Sequence, residues 1–380
     1  MRSTLNEIAE SVDYGVTACS REEPVGPKFL RITDIQDGRV DWDNVPWCDG
    51  DGKKLETARL QSGDIVFART GATTGKSFLI TDCPDKAVFA SYLIRVRLGE
   101  RADPGYVSHF FQTADYWNQI TKSARGVAQP GVNATTLKSL QIPLPPLVEQ
   151  QRIAGILDAA DALRATRREA LAQLDTLLQS TFLDMFGDPV TNPMKWDTSF
   201  LGELGKVQTG STPPSKFDGM FDGGIPFVTP GDLRETWTDS MRTVTESGAK
   251  ESRTVERGAT LVCCIGATIG KMGKASQLSA FNQQINAVSW GSRIENNFGL
   301  ELMRFFKAKI AKDGASTTLP ILKKSLFEKI AVPVPPLPLQ GRFAAIVESV
   351  EQQKNRMLAH LAELDALFAC LQSRAFNGEL

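Results

Sequence analysis

The most regular alternation of apolar and polar positions lies in residues 142–188, where a short Pro-rich strap leads into a long amphipathic stretch. There Ile153, Ile156, Ala160, Leu163, Leu171, Leu174 and Leu178 follow spacings of three and four, the period of one helix face. The same design returns in residues 332–378, with Phe343, Ile346, Val350, Met357, Leu361, Leu364, Phe368 and Leu371 on the stripe. Arg167 and Gln353 interrupt the two stripes. So narrow an apolar face predicts a coiled-coil seam, not the broad face of a helix lying on a sheet. A helix of about 37 residues is roughly 55 Å long, more than a small domain is wide, so each long helix most simply packs on its counterpart. Pro145 and Pro146 hold the first strap extended and suit a helix start just beyond them. Gly187 and Pro189 stop that helix.

The two stretches are related by a constant offset of 190 residues, half the chain. Pro143/Pro333, Pro145/Pro335, Gln150/Gln340, Arg152/Arg342, Leu174/Leu364, Asp175/Asp365 and Phe186/Phe376 are identical at that offset. A period this long is no solenoid repeat; it means a duplicated domain with its helix. The segments before each strap agree. In the first half, runs such as LQSGDIVFARTGATTGKSFLI and AVFASYLIRVRL read as strands punctuated by turns, followed by a helix over 104–121. In the second half, VERGATLVCCIGATIGKMG and FGLELMRFFKAKIAKDG repeat that order. Identities thin out quickly outside the helices. The expected division is a first domain at 1–145, a long helix at 146–188, a second domain at 189–335 and a C-terminal long helix at 336–380.

Composition narrows the class. At 380 residues, 42% hydrophobic and 23% charged, the chain is that of an ordinary globular protein, and no apolar run is long enough for a membrane span. The start lacks the apolar stretch of a signal peptide, so a cytoplasmic protein is expected. Six cysteines without a C-x-x-C pair and only two histidines make a zinc site improbable and leave little acid–base machinery. A net charge of −1 argues against wrapping nucleic acid by bulk charge, but not against local basic patches.

One string invites an enzymatic reading. Residues 71–77, GATTGKS, resemble a phosphate-binding P-loop, but three residues stand between the glycines where that loop has four; the duplicate at 266–272, GATIGKM, also lacks the following Ser or Thr. A P-loop-like nucleotide-binding protein is therefore the second reading. The first is that Gly-bracketed turns present Thr73, Thr74 and Lys76, and in the duplicate Thr268 and Lys271, to a nucleic acid. Basic residues gather in both halves: Lys53, Lys54, Arg59, Arg69, Lys122 and Arg125 in the first, and Lys216, Arg234, Arg242, Lys250, Arg253 and Lys274 in the second. Amino-methyltransferase, nucleophile-elbow and zinc-protease motifs are missing from the sequence, so the chain reads as a binder.

The duplication, the strap PLPPLVEQQRI at 143–153 with its echo PVPPLPLQGRF at 333–343, the long helices, the FGDP stop at 186–189 and the paired GAT-x-GK turns together resemble the specificity subunit of type I restriction–modification systems. The resemblance covers essentially the whole chain. It implies an α+β fold with two target recognition domains, joined by two long helices packed as an antiparallel coiled coil. It implies a non-catalytic subunit that reads a split double-stranded DNA site, with the helices fixing the unread spacer. The implied partners are two methyltransferase (modification) subunits, which hold S-adenosylmethionine and methylate adenine at N6, and restriction subunits, which use ATP and Mg. No cofactor or metal is implied in this chain. The second strap departs from the first, with Leu339 and Gly341 in place of Glu149 and Gln151, so the two docking surfaces need not be equal.

Overall fold

The computed structural model describes residues 2–36, 38–50, 53–124, 131–214, 218–234, 237–315 and 320–380, with the backbone alone at Lys53, Lys54, Ser123 and Ala124. The fold is α+β, and packing divides it into two compact units: Met1–Arg167 with His360–Leu380, and Arg168–Ala359. The long helices span Leu147–Phe186 and Leu337–Asn377. Each unit therefore contains half of both helices.

In the first unit, the strands Ala9–Tyr14, Leu93–Leu98, Ile65–Ala68 and Ser77–Leu79 form an antiparallel sheet in that order. The strand Ile65–Ala68 is apolar throughout because both its faces are covered. Ile65 and Phe67 join the core with Phe110, Phe111 and Tyr116, while Val66 joins the opposite core with Leu30 and Phe89. A second sheet orders Ala87–Phe89, Lys28–Leu30, Trp47–Asp49 and Cys19–Arg21. The second unit repeats the first sheet with Gly205–Thr209, Ile285–Trp290, Thr260–Cys263 and Met272–Ala275, and adds the edge strand Trp237–Thr238.

Both straps are short strands that close their unit. Gln141–Pro143 pairs antiparallel with Arg2–Thr4, Ile142 opposite Ser3. Ala331–Pro333 pairs in the same way with Thr198–Phe200, Val332 opposite Ser199. Each strap ends at a buried glutamine in the first turn of its long helix. Gln150, 1% exposed, accepts from the Asp103 N–H (2.9 Å) and donates to the carbonyls of Pro145 (2.8 Å) and Arg101 (3.1 Å). Gln340, 0% exposed, accepts from the Glu295 N–H (2.9 Å) and donates to Pro335 (2.7 Å) and Arg293 (3.1 Å). Asp103 and Glu295 in turn cap the following helices, Pro104–Phe110 and Asn296–Phe305. One amide thus locks three elements.

In each unit the two helix segments run antiparallel. Arg164 bonds Asp365 at 2.6 Å in the first unit, and Lys354 bonds Asp175 in the second. Both members of these pairs are related by the 190-residue offset. Of the expected seam positions, Ile153, Ala160, Leu174, Leu178, Phe343, Val350 and Phe368 are buried, and Ile156, Leu171, Met357, Leu361, Leu364 and Leu371 are half-buried. Two positions are corrected. Leu163 is 57% exposed and Ile346 is 37% exposed; Arg164 and Val347 face inward in their place. The inward positions follow a seven-residue repeat, 153–157–160–164 and 343–347–350–354, and an apolar count alone passes over a charged seam residue. Arg164 can occupy one because its stem is apolar and its guanidinium lies 4.3 Å over the Phe368 ring.

Replacing Gln340 by Leu leaves a buried N–H and two carbonyls without partners, so a loss of roughly 2–4 kcal/mol is expected. Urea unfolding followed by tryptophan fluorescence checks this; an unchanged midpoint would remove the glutamine's locking role.

Candidate nucleic-acid interface

The central strand of each unit runs between two edges. In the first unit, Leu93–Leu98 ends beside the strap: the Gly99 N–H donates to the Ile8 carbonyl (2.9 Å), and Gln150 holds the Arg101 carbonyl. At its start, Leu93 lies opposite Ala68 and Ile94 opposite Tyr14. The turn 69–76, the connection 90–92 and the end of the strand Ala9–Tyr14 therefore share the far edge, about 20 Å from the strap for six residues at ~3.3 Å each. The second unit is built alike, with Cys263 opposite Ile285 and Thr209 opposite Asn286. This edge collects connecting loops, anchored from one side by helices as where the Tyr116 hydroxyl donates to the Gly75 carbonyl, and loops on a fixed frame are where different chemistry can be presented.

The paired turns are the same object twice. Gly71 and Gly75 have φ of +85° and +83°, and Gly266 and Gly270 have +93° and +86°, a region that disfavours side chains. The N–H of Gly75 donates to the Ala68 carbonyl (2.9 Å), that of Lys76 to Thr73 (2.9 Å) and that of Thr74 to Gly71 (3.2 Å). The duplicate makes the same three bonds: Gly270 to Cys263 (2.8 Å), Lys271 to Thr268 (3.0 Å) and Ile269 to Gly266 (3.1 Å). These amides are consumed inside the turn, and the turn joins two antiparallel strands. A phosphate cradle needs such amides converging on an anion at a helix start. The nucleotide-binding reading is therefore not favoured.

The predicted residues divide by place. Lys76 is exposed, Thr73 is half-buried, and the Thr74 hydroxyl donates to its own turn at Gly71 (2.7 Å). Arg69 turns inward: its guanidinium donates to the Ser91 carbonyl (2.8 Å) and lies 4.6 Å over the Tyr14 ring. In the second unit Thr268 is exposed and sits beside the Cys263 thiol (3.4 Å). Lys271 is half-buried and donates to the Pro230 carbonyl (3.1 Å), while exposed Arg234 donates to that of Gly231 (3.1 Å). Arg242 lies over the Phe221 ring at 4.5 Å, Arg59 pairs with Glu56, and Lys122, Lys250 and Arg253 are exposed. The side chains of Lys53 and Lys54, together with Arg125 and Lys216, lie outside the described residues.

Lys274 is the clear correction. It is 1% exposed; its ammonium bonds the Asn297 side chain, stands 3.5 Å from the Glu351 carboxylate and lies 3.9 Å from the centre of the Trp237 ring. Burial pushes its pKa down, against the pull of Glu351. A cation committed inside the unit cannot meet a phosphate. Sequence reasoning also missed Tyr92, 68% exposed, and Tyr14, which the Arg69 stack holds on the same edge. A large exposed aromatic beside a turn was the available signal.

Next to the second turn lies a cleft of about 590 Å³, lined by residues of that turn with Asp175, Glu301, Arg304 and Lys307. Burial pushes Glu301 up, opposed by Arg304 at 3.0 Å. Among the described residues, no group of three or more His, Cys, Asp or Glu is arranged for a metal ion, and no helix is long and apolar enough to cross a membrane.

The sequence matches the family described as Type I restriction modification DNA specificity domain twice, over residues 4–175 and 193–364. The chain belongs to that family. It is a type I specificity subunit, and the two matches reproduce the duplication seen in strands, straps and turns. It is similar to the putative type I restriction enzyme MjaX specificity subunit of Methanocaldococcus jannaschii, 24% identical over 371 residues, covering 91% of this chain and 85% of the relative. The EcoKI specificity subunit of Escherichia coli K12 is 27% identical over 193 residues, 48% of this chain and 42% of its own length. Among solved structures, the type I restriction–modification S subunit from M. genitalium shares the fold with a TM-score of 0.60, at 16% identity over 99% of this chain and 96% of that one. A chain solved in work on complex assembly and conformational transition of the type I R-M system gives 0.55, at 21% identity over 100% and 98%.

With its turn amides internally bonded, the subunit is expected to show no ATP binding in the micromolar range. Isothermal titration checks this; saturable binding lost in Lys76→Ala would restore the nucleotide reading.

Proposed function

We propose that this specificity subunit reads a bipartite, asymmetric double-stranded DNA site, one half with each unit, and docks two adenine-N6 methyltransferase subunits, through which restriction subunits are recruited. The supporting observation is a duplication that reaches individual hydrogen bonds at the strap edge while the chemistry at the far edge differs. Two copies of one frame suit two copies of one partner, and two different edges suit two different half-sites. The subunit is non-catalytic in this proposal. S-adenosylmethionine is held by the methyltransferase, ATP and Mg by the restriction subunit, and the complex works in the cytoplasm, where the host DNA lies. A net charge of −1 suits a reader whose partners share the phosphate contacts. The two docking surfaces are unequal: Glu149 pairs with Arg152 at 2.6 Å, whereas Leu339 has no carboxylate to offer Arg342.

The helices act as the ruler. Four residues inserted after Ala165, and four more after Asn355, lengthen both helices by about one turn, roughly 6 Å. At ~3.4 Å per base pair, the unread spacer is expected to grow by about one or two base pairs while both half-sites stay the same. Long-read methylation mapping decides; altered half-sites with an unchanged spacer would refute the ruler. Lys76→Ala is expected to weaken DNA binding and lower the salt slope by about one, as for the loss of one phosphate contact. Lys274→Ala is expected to reduce thermal stability with the salt slope unchanged. Gel shifts across a salt series, run with the assembled methyltransferase, separate the two.

A further inference from the structure

The connection that precedes the central strand occupies the same place in both units. The Arg69 N–H donates to the Tyr92 carbonyl (3.1 Å) and its carbonyl accepts from Val132 (3.0 Å). Cys264 stands at the matching place, donating to the Gln284 carbonyl (2.8 Å) and accepting from Leu322 (2.8 Å). Tyr92 therefore corresponds to Gln284, and Ser91 to Gln283. The frame is shared and the chemistry is not.

In the first unit, the Arg69 guanidinium, stacked on Tyr14, clamps the Ser91 carbonyl and leaves the Tyr92 ring in solvent. In the second, the Cys264 thiol is buried beside Asn286, and amides hold the connection instead. Asn282 accepts from the Gln284 N–H (3.1 Å) and donates to the Gln284 side-chain oxygen (3.0 Å), and the Thr212 hydroxyl donates to that of Gln283 (2.9 Å). Both glutamine oxygens are fixed from behind, which orients their NH₂ groups and limits the side-chain entropy lost on contact. Gln283 is exposed and Gln284 half-buried.

Resting on the two-part reading proposed above, we infer that these connections are the specificity tips. Tyr92 supplies an aromatic contact to a base in one half-site, while Gln283 and Gln284 supply amide contacts to the other. Arg69 is a positioning residue for the first tip. A phenol ring meets bases by stacking or by apolar contact with a thymine methyl, whereas a glutamine amide matches the N6 and N7 edge of adenine. An adenine is thus expected among the bases read by the second unit.

The test uses the subunit assembled with its methyltransferase. Methylation mapping of the wild-type complex first gives the two half-sites. Affinities are then measured for the intact duplex and for duplexes with one or the other half scrambled. Tyr92→Ala is expected to shrink the penalty for scrambling one half by roughly tenfold, the scale of one base-pair contact, and to leave the other penalty alone. Tyr92→Phe is expected to retain the wild-type pattern. Gln283→Ala combined with Gln284→Ala is expected to act on the opposite half. Penalties that stay at wild-type values, fall together, or fall on the same half for both variants would overturn the inference. A wild-type complex that methylates no bipartite site would instead sink the functional reading beneath it. The substituted side chains are exposed or half-buried, and unchanged thermal melting of the variants separates lost contact from lost fold.

Discussion

A buried glutamine at the head of each long helix decides how strap, helix and the capped helix beside them are joined. Gln150 and Gln340 each satisfy one N–H and two carbonyls that would otherwise be stranded at the point where strap, helix and capped helix meet. A side-chain amide offers two donor hydrogens and an acceptor oxygen in fixed directions without carrying charge, which matches two carbonyls and one N–H. A carboxylate there would face two carbonyl oxygens, and an apolar residue would leave three groups unpaired. The direction in which each helix leaves its unit is set by this contact and by the strap strand that precedes it.

The helix seam shows a second constraint. Leucine and phenylalanine supply contact area, but they tolerate sliding by a turn. Arg164 with Asp365, and Lys354 with Asp175, do not, because displacement would break a partly buried ion pair between the helices, although Arg164 would keep Asp161 of its own helix at 2.6 Å. The pairs occupy matching places in the two units, so the register that one specifies is the register that the other specifies. The proposed ruler would require that property, since a length has meaning only if the register is single-valued.

At the opposite edge of each sheet the logic reverses. The Gly-bracketed turns are shared by the two halves as backbone objects, with the same left-handed glycines and the same three internal hydrogen bonds. Side chains are held to much less. Arg69 and Cys264 occupy one place on the frame, and so do Tyr92 and Gln284. Backbone bonding keeps the connection in position whatever it carries, and that separation lets one frame carry two different sets of side chains.

The duplication, the straps, the ends of the long helices and most of the apolar stripe are legible in the sequence alone, because each is a local pattern: a 190-residue offset, a proline pair, a helical period. The failures are positions where a side chain is judged by type. Apolar periodicity favours Leu163 over Arg164, the residue that actually fills the seam. Lys274 looks like any surface cation until Trp237, Asn297 and Glu351 close around it. Arg69 likewise passes for a phosphate contact until Tyr14, 55 residues earlier in the chain, is brought beneath it. Only the tertiary structure decides such cases, because burial and partnership depend on residues far apart in the chain. The sequence settles that there are two duplicated units and two long helices; packing decides which charges are spent inside them and which face outward.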